Sequence, residues 1–297
     1  MMLLNVRIMI IAILLIVAHG NSHASWDISQ LTNNSLYDWG TSIDDSGVAW
    51  VGKPAVGQPT QIYYWDNTQI RQITNDSNDK AAKPSLWNGT IAWREKFKRA
   101  NGEIYYEIFY WDADKVNQIT NNENRYFRPG EYGPPSLWNG EIAWREWEEP
   151  HSQIFFYDGY NISNFTHNST ENWGPSYNNN QLAWKAVVNN NGQTSIEIFF
   201  WDGVVTRQIS HNNSLSCGVP SLSNGQIAWV ANNELFFWDG LNIHQITNGQ
   251  LTPMDYPSLY NGNVGWSGWD GHDYEIYLWD GSRIIQITNN DVDDYCD

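Results

Sequence analysis

Four tryptophans in this chain stand apart from a pattern that accounts for the other fourteen of its eighteen. They are Trp39, Trp147, Trp173 and Trp269. Trp39 and Trp173 each lie three residues before an aligned serine, Ser42 or Ser176. Trp147 and Trp269 each lie three residues after an aligned tryptophan, Trp144 or Trp266. A tryptophan offers a wide apolar face and a single donor, the chemistry that stacks on a sugar ring or grips an aromatic peptide. The competing reading is packing between neighbouring loops. A second group, Arg125, Tyr126 and Arg128, joins two guanidinium forks to an aromatic ring and suits a carboxylated or sulfated ligand. Arg94, Lys96, Lys98 and Arg99 extend this basic sector, and Glu95, Glu103 and Glu131 stand ready to pair with it.

Catalytic signatures are scarce. The sequence has no Gly-x-Ser-x-Gly elbow, phosphate loop or His-Glu-x-x-His. Glu148 and Glu149 are adjacent, and adjacent carboxylates rarely face one substrate. Asn289-x-Asp291-x-Asp293 begins like a calcium loop, but Asp294 stands where the turn glycine belongs and no glutamate follows. His167 and His211 occupy equivalent turn positions without a third ligand. No metal site and no cofactor are therefore expected. Cys217 and Cys296 occupy similar places in different repeats and are a candidate disulfide for an exported protein.

The elements that must position these residues follow from a repeat. An Ala-Trp-type anchor returns at Trp50, Trp93, Trp144, Trp184, Trp229 and Trp266, at spacings of 43, 51, 40, 45 and 37 residues. Units run at about 39–74, 84–120, 135–166, 175–210, 220–247 and 257–288. Each holds four short runs rich in β-branched and aromatic residues, the content of one propeller blade. Asn-Gly at Asn88, Asn139, Asn224 and Asn261 predicts tight hairpin turns. The third run is apolar throughout, as in Ile198-Phe199-Phe200-Trp201, so both of its faces should be buried. The fold class is all-β: a six-bladed propeller of four-stranded antiparallel blades, filling 25–297 as one domain. A fragment over 26–34, with Gln30-Leu31-Thr32, matches the end of a unit and is a candidate to close the ring against the last blade.

Residues 1–24 read as a signal peptide: Arg7, an apolar run from Ile8 to Ala18, then Ser22 and Ala24, with cleavage after Ala24. The run is short for a span, so no membrane span is expected in the mature chain. The chain should be secreted, periplasmic or on the cell surface. The formal net charge of -17 argues against a nucleic-acid partner.

The order Pro84-Ser85-Leu86-Trp87-Asn88-Gly89, Ile91-Ala92-Trp93, Ile108-Phe109-Tyr110-Trp111-Asp112, Gln118-Ile119-Thr120 resembles the repeat of TolB-like β-propellers. It departs where that family has Ser-Pro-Asp-Gly, and no counterpart of the domain that precedes the propeller in TolB is expected. The resemblance implies the blade and says little about function, because the repeat serves binding proteins, peptidase-associated propellers, lyases and surface proteins alike. In such a blade the loops between strands two and three, and from strand four to the next blade, share one end. They vary here, whereas the turns at the other end do not, so the binding surface is assigned to the variable-loop end. All four stray tryptophans fall there. With six blades, Trp39 would face Trp173 across the axis and Trp147 would face Trp269. The expectation is a monomeric, non-enzymatic binding module for a glycan or for an extracellular or periplasmic protein. A polysaccharide-active enzyme and an architectural surface protein are the alternatives.

Overall fold

The computed structural model describes residues 30–33, 36, 38–80, 82–123, 133–211, 215–249, 251–254 and 256–296. The signal peptide and the cleavage point after Ala24 lie outside the described residues. Asn88 and Gly89 both take positive φ, +46° and +77°, and the other Asn-Gly pairs do the same. This is the two-residue turn whose twist matches paired strands. It joins the first strand of a blade to the second, and the pattern builds six antiparallel sheets in chain order.

Blade one holds β1 to β4 (Asp38–Asp44, Gly47–Gly52, Gln61–Trp65, Ile70–Gln72). Blade two holds β5 to β8 (Ser85–Trp87, Thr90–Lys98, Ile104–Trp111, Val116–Gln118). Blade three holds β9 to β12 (Ser136–Trp138, Glu141–Glu148, His151–Tyr157, Ile162–Asn164). Blade four holds β13 to β16 (Asn172–Asn178, Gln181–Asn190, Gln193–Trp201, Thr206–Gln208). Blade five holds β17 to β20 (Ser221–Ser223, Gln226–Ala231, Glu234–Trp238, Ile243–Gln245). Blade six holds β21 to β25 (Thr252–Pro253, Ser258–Tyr260, Asn263–Trp269, Tyr274–Trp279, Ile284–Gln286). The additional β21 is the incoming linker, long enough here to pair with the outer end of β23. Linkers into blades two and five make only single bridges, Lys80 to Glu95 and Cys217 to Ala231.

The core lies between blades. The Ala and Ile of one blade press on the Leu, Ile and Trp of the next, as Ala49 and Ile62 press on Leu86, Ile91 and Trp93. Equivalent cores join blades two to three, three to four, four to five and five to six. Near the axis a serine of the first strand in blades one to five accepts a backbone N–H from the next blade. Ser42 takes Leu86, Ser85 takes Leu137, Ser136 takes Tyr177, Ser176 takes Leu222 and Ser221 takes Leu259, at 2.8 to 3.0 Å.

The sixth junction is built differently. By analogy Ser258 would take the N–H of Ile43, and among the described residues no such bond exists. Ile43 is 53% exposed, whereas its counterparts Leu86, Leu137, Tyr177, Leu222 and Leu259 are 3 to 7% exposed. The core on that side of blade one groups Val48 and Trp50 with Leu31, Tyr63 and Trp65, and no residue of blade six. Leu31 thus covers Trp50 in the way Ile73 joins the core ahead of blade two. No described residue of the 26–34 fragment pairs with blade six, whose sheet comes entirely from 252–286. Residues 26–29 and 34 of that fragment lie outside the described residues.

Cys217 and Cys296 are not joined by a disulfide. Cys217 is buried in the core between blades four and five, while Cys296 lies over blade six, its N–H on Ser267 Oγ and its Sγ beside Gly265. The two thiols belong to different inter-blade layers.

Candidate functional site

The site begins with a motif that occurs twice, Trp39-Gly40-Thr41-Ser42 and Trp173-Gly174-Pro175-Ser176. Gly40 and Gly174 take φ of +63° and +57°, and the register slips between Trp and Ser in both strands. A bulge of this kind re-aims the strand. It lengthens β1 and β13 to 7 residues, against 3 in β5 and β9, and carries each tryptophan to the variable-loop end. A Cβ on Gly174 would come within 2.8 Å of Val219, so the strand there lies hard against the linker into blade five.

From this point the two tryptophans diverge. Trp39 packs against the core between blades one and two. Trp173 meets blade three: the Arg145 guanidinium sits 5.8 Å from its ring centre. Arg145 Nη2 also donates to Ser152 Oγ at 2.8 Å. Ser152 is the cross-strand partner of Trp147. Because alternate residues of a strand share a face, Arg145 and Trp147 lie on the same side of blade three. Arg145 thus reaches from blade three to Trp173 of blade four, and Trp147 lies on the same face of blade three. Across the axis, the partners expected for them are engaged elsewhere. Trp269 ends β23 at 38% exposure, its ring edge-on to Tyr274 at 5.3 Å. Arg125, Tyr126 and Arg128 lie outside the described residues.

Within the basic sector Arg94 is internal, while Lys96 and Lys98 are exposed. Arg94 is 2% exposed and its Nη2 donates to the Arg145 carbonyl at 3.1 Å. Lys185 continues the series, its Nζ donating to the Cys217 carbonyl at 2.7 Å. In blades two, three and four the cation after the anchor tryptophan thus reaches forward to the next blade. Arg99 pairs with Glu103 at 3.3 Å, as the alternation of charge suggests.

A feature not found from sequence lies on the same boundary. A cavity of about 360 Å³ is walled by Phe165, Trp184, Phe199 and Trp201, with Asn168, Thr170 and Asn172 at its polar side. Asn172 is fully buried, takes the Trp184 Nε1–H at 3.1 Å and donates to Asn168 Oδ1 and the Thr170 carbonyl at 2.8 Å. The space has a sequence cause. Two residues after the anchor, blades two and three place Glu95 and Glu146, whose carboxylates accept the anchor indole N–H. Blade four places Ala186 there, and Ala186 lines the cavity. The missing glutamate was the legible signal.

The titrating groups follow the repeat. Asp66, Asp112, Asp158, Asp202, Asp239 and Asp280 are each held below the usual carboxylate range. The cause is local: turn N–H groups and neighbouring side chains donate to them, as Leu241 and Asn242 do to Asp239. These turns join the third and fourth strands, at the end away from the stray tryptophans. Burial, followed by the Glu141 hydrogen bond, pushes the Tyr177 hydroxyl well up.

No family model matches the sequence, and no curated protein matches it. Solved structures do match. The β-propeller domain of the Trilobed protease from Pyrococcus furiosus, which has an open velcro topology, shares 12% identity at a TM-score of 0.61, over 86% of each chain. Puromycin hydrolase shares 13% at 0.61, over 85% of this chain and 45% of its own, so this chain spans less than half of that protein. TolB from Acinetobacter baumannii shares 14% at 0.49, over 87% and 58%. With its six sheets of antiparallel strands the chain has a six-bladed β-propeller architecture, and at such identities the likeness is one of fold.

Proposed function

We propose that this chain is an exported, non-enzymatic binding module that holds a glycan at the boundary of blades three and four. The observation that carries the reading is a cavity of about 360 Å³ at that boundary, with the Trp173 ring 5.8 Å from the Arg145 guanidinium of blade three and Trp147 on the same face of blade three as Arg145. Flat indole faces stack on the apolar faces of sugar rings, and amide and hydroxyl groups take the ring hydroxyls. The cavity is within the range used by small ligands. Its walls are aromatic and its polar side is uncharged, which favours a sugar over a cationic or strongly anionic ligand. Export rests on the apolar run from Ile8 to Ala18. No helix among the described residues is long and apolar enough to cross a membrane.

A glycan array probed with the intact protein and with Trp147→Ala and Trp173→Ala tests the proposal. Selective binding that both substitutions remove, with folding intact, supports it. Silence across the array moves the assignment to a protein partner or an architectural role. Release of sugar products from a bound polysaccharide would replace it with an enzyme.

A further inference from the structure

Blade six carries an arrangement on its face toward blade five that the other blades lack. In every blade the third strand begins near a Gln or Glu that accepts a Thr or Ser hydroxyl from beyond the fourth strand, as Gln61 accepts Thr74 and Glu275 accepts Thr288. Two residues before that position the other blades place Pro59, Tyr105, His151, Ser195 and Asn232. Blade six alone places an acid, Asp273.

Asp273 is 6% exposed, and its Oδ2 has no hydrogen-bond partner. Its Oδ1 lies 3.5 Å from Nδ1 of His272, an exposed ring. Oxygens of Asp270, Asp273 and Glu275 all fall within 4.8 Å of one another. Asp270 also accepts the N–H groups of His272 and Asp273, and Glu275 accepts the Asn290 N–H and the Thr288 hydroxyl. A buried carboxylate without a partner is strongly disfavoured unless a cation completes it.

Blade two shows how this fold neutralises acids at the same level. There Lys80 Nζ, fully buried, sits 3.0 Å from Glu95 and 2.8 Å from Asp76. In blade six, among the described residues, the ion pair made to the cluster is that of His272. Gly268, opposite Glu275, stands where blades two and three have Glu95 and Glu146. The indole N–H that those glutamates would receive, Trp266 Nε1, is buried without a partner. Trp266, Gly268 and Asp270 follow one row of the hairpin, and Asp273, Glu275 and Tyr277 the facing row. Trp266 and Tyr277 place that face against blade five.

We propose that Asp270, Asp273 and Glu275 hold a divalent cation of the calcium class between the β23–β24 hairpin and blade five. The donors are all oxygen, which suits calcium or magnesium rather than zinc or copper. Three carboxylates with water completing the shell match the flexible coordination of calcium better than the strict octahedron of magnesium. The three come from a hairpin of blade six, not from the Asn289–Asp293 stretch of the C-terminal tail.

Terbium luminescence on the intact protein tests this, with Trp269 and Tyr274 close by as sensitisers. Saturable binding of one terbium, displaced by calcium at lower concentration than by magnesium, is expected. Loss of an outer-shell partner weakens metal sites by about 10- to 100-fold, so Asp273→Asn should weaken terbium binding at least that much. EDTA should lower the melting temperature of the wild type and leave Asp273→Asn unchanged. Because the amide introduced by Asp273→Asn buries no charge, this variant should melt no lower than wild type in EDTA, which separates a lost ligand from a failed fold. No saturable binding, binding unaltered by both Asp273→Asn and Asp270→Asn, or binding abolished only by Asp291→Asn would overturn the proposal.

Discussion

Removing one serine from the inner circle of the propeller should reveal which blade junctions are stitched. Ser85→Ala strips the acceptor from the Leu137 N–H, a bond of 2.9 Å to a residue 4% exposed. Ser136→Ala does the same to Tyr177, at 2.8 Å and 3% exposed. No water reaches these N–H groups easily, so the loss combines a hydrogen bond with an unsatisfied buried donor. The cost of such a loss is about 1–3 kcal/mol. For a domain of this size each kcal/mol moves the melting temperature by roughly 2–4 °C. Each variant should therefore melt about 2–12 °C below wild type. Ser258→Ala is the contrast. Ser258 is exposed and makes no such bond to Ile43, so its removal should stay within about 0.5 kcal/mol. Differential scanning calorimetry of the three variants decides the matter. Ser258→Ala melting as low as Ser85→Ala would show the sixth junction to be stitched like the others, and would refute the reasoning.

Lys80→Met leaves Asp76 and Glu95 with an uncompensated charge at a buried site, and urea unfolding should show a loss of about 3–5 kcal/mol. Gly174→Ala forces a side chain into positive φ and to within 2.8 Å of Val219, so it should cost about 1–3 kcal/mol and quench or shift the Trp173 fluorescence contribution. Asp239 is held down at about 2 by the Asn242 N–H first and then by His244, and Asp66 at about 2 by the Thr68 hydroxyl and the Gln69 N–H. With folded values below the unfolded value of about 3.9, the stability they contribute is complete above about pH 4 and is lost as pH falls toward about 2. Asp239→Asn should accordingly flatten the urea midpoint between those two pH values, and an unchanged slope there would contradict the assignment.

Most of the architecture was legible because it is repetitive. Asn-Gly pairs, anchor tryptophans and continuously apolar third strands report local requirements that recur in every blade, and the structure uses each as expected. The sixth junction was not legible. Its distinctive property is that Ser258 and Ile43 fail to meet, while both residues look like their counterparts in sequence. The site was partly legible. Composition singled out Trp147 and Trp173, but topology had suggested partners across the axis. The contact of Trp173 is with Arg145 of blade three, a residue that the repeat pattern did not single out. The cavity at the boundary of blades three and four reflects a residue that is absent, the glutamate replaced by Ala186, and such a gap shows only when blades are aligned position by position. Asp273 escaped for the same reason: one carboxylate among many in an acidic chain, informative only once its burial is known.

The central claim concerns where a ligand is held, and calorimetric titration of the best array glycan into four single variants tests it most directly. Trp147→Ala and Trp173→Ala should each abolish measurable binding. Trp39→Ala and Trp269→Ala, one packed into the core between blades one and two and the other at the edge of blade six, should bind as wild type does. Retention in the first pair with loss in the second would contradict the account and return the boundary of blades three and four to ordinary packing.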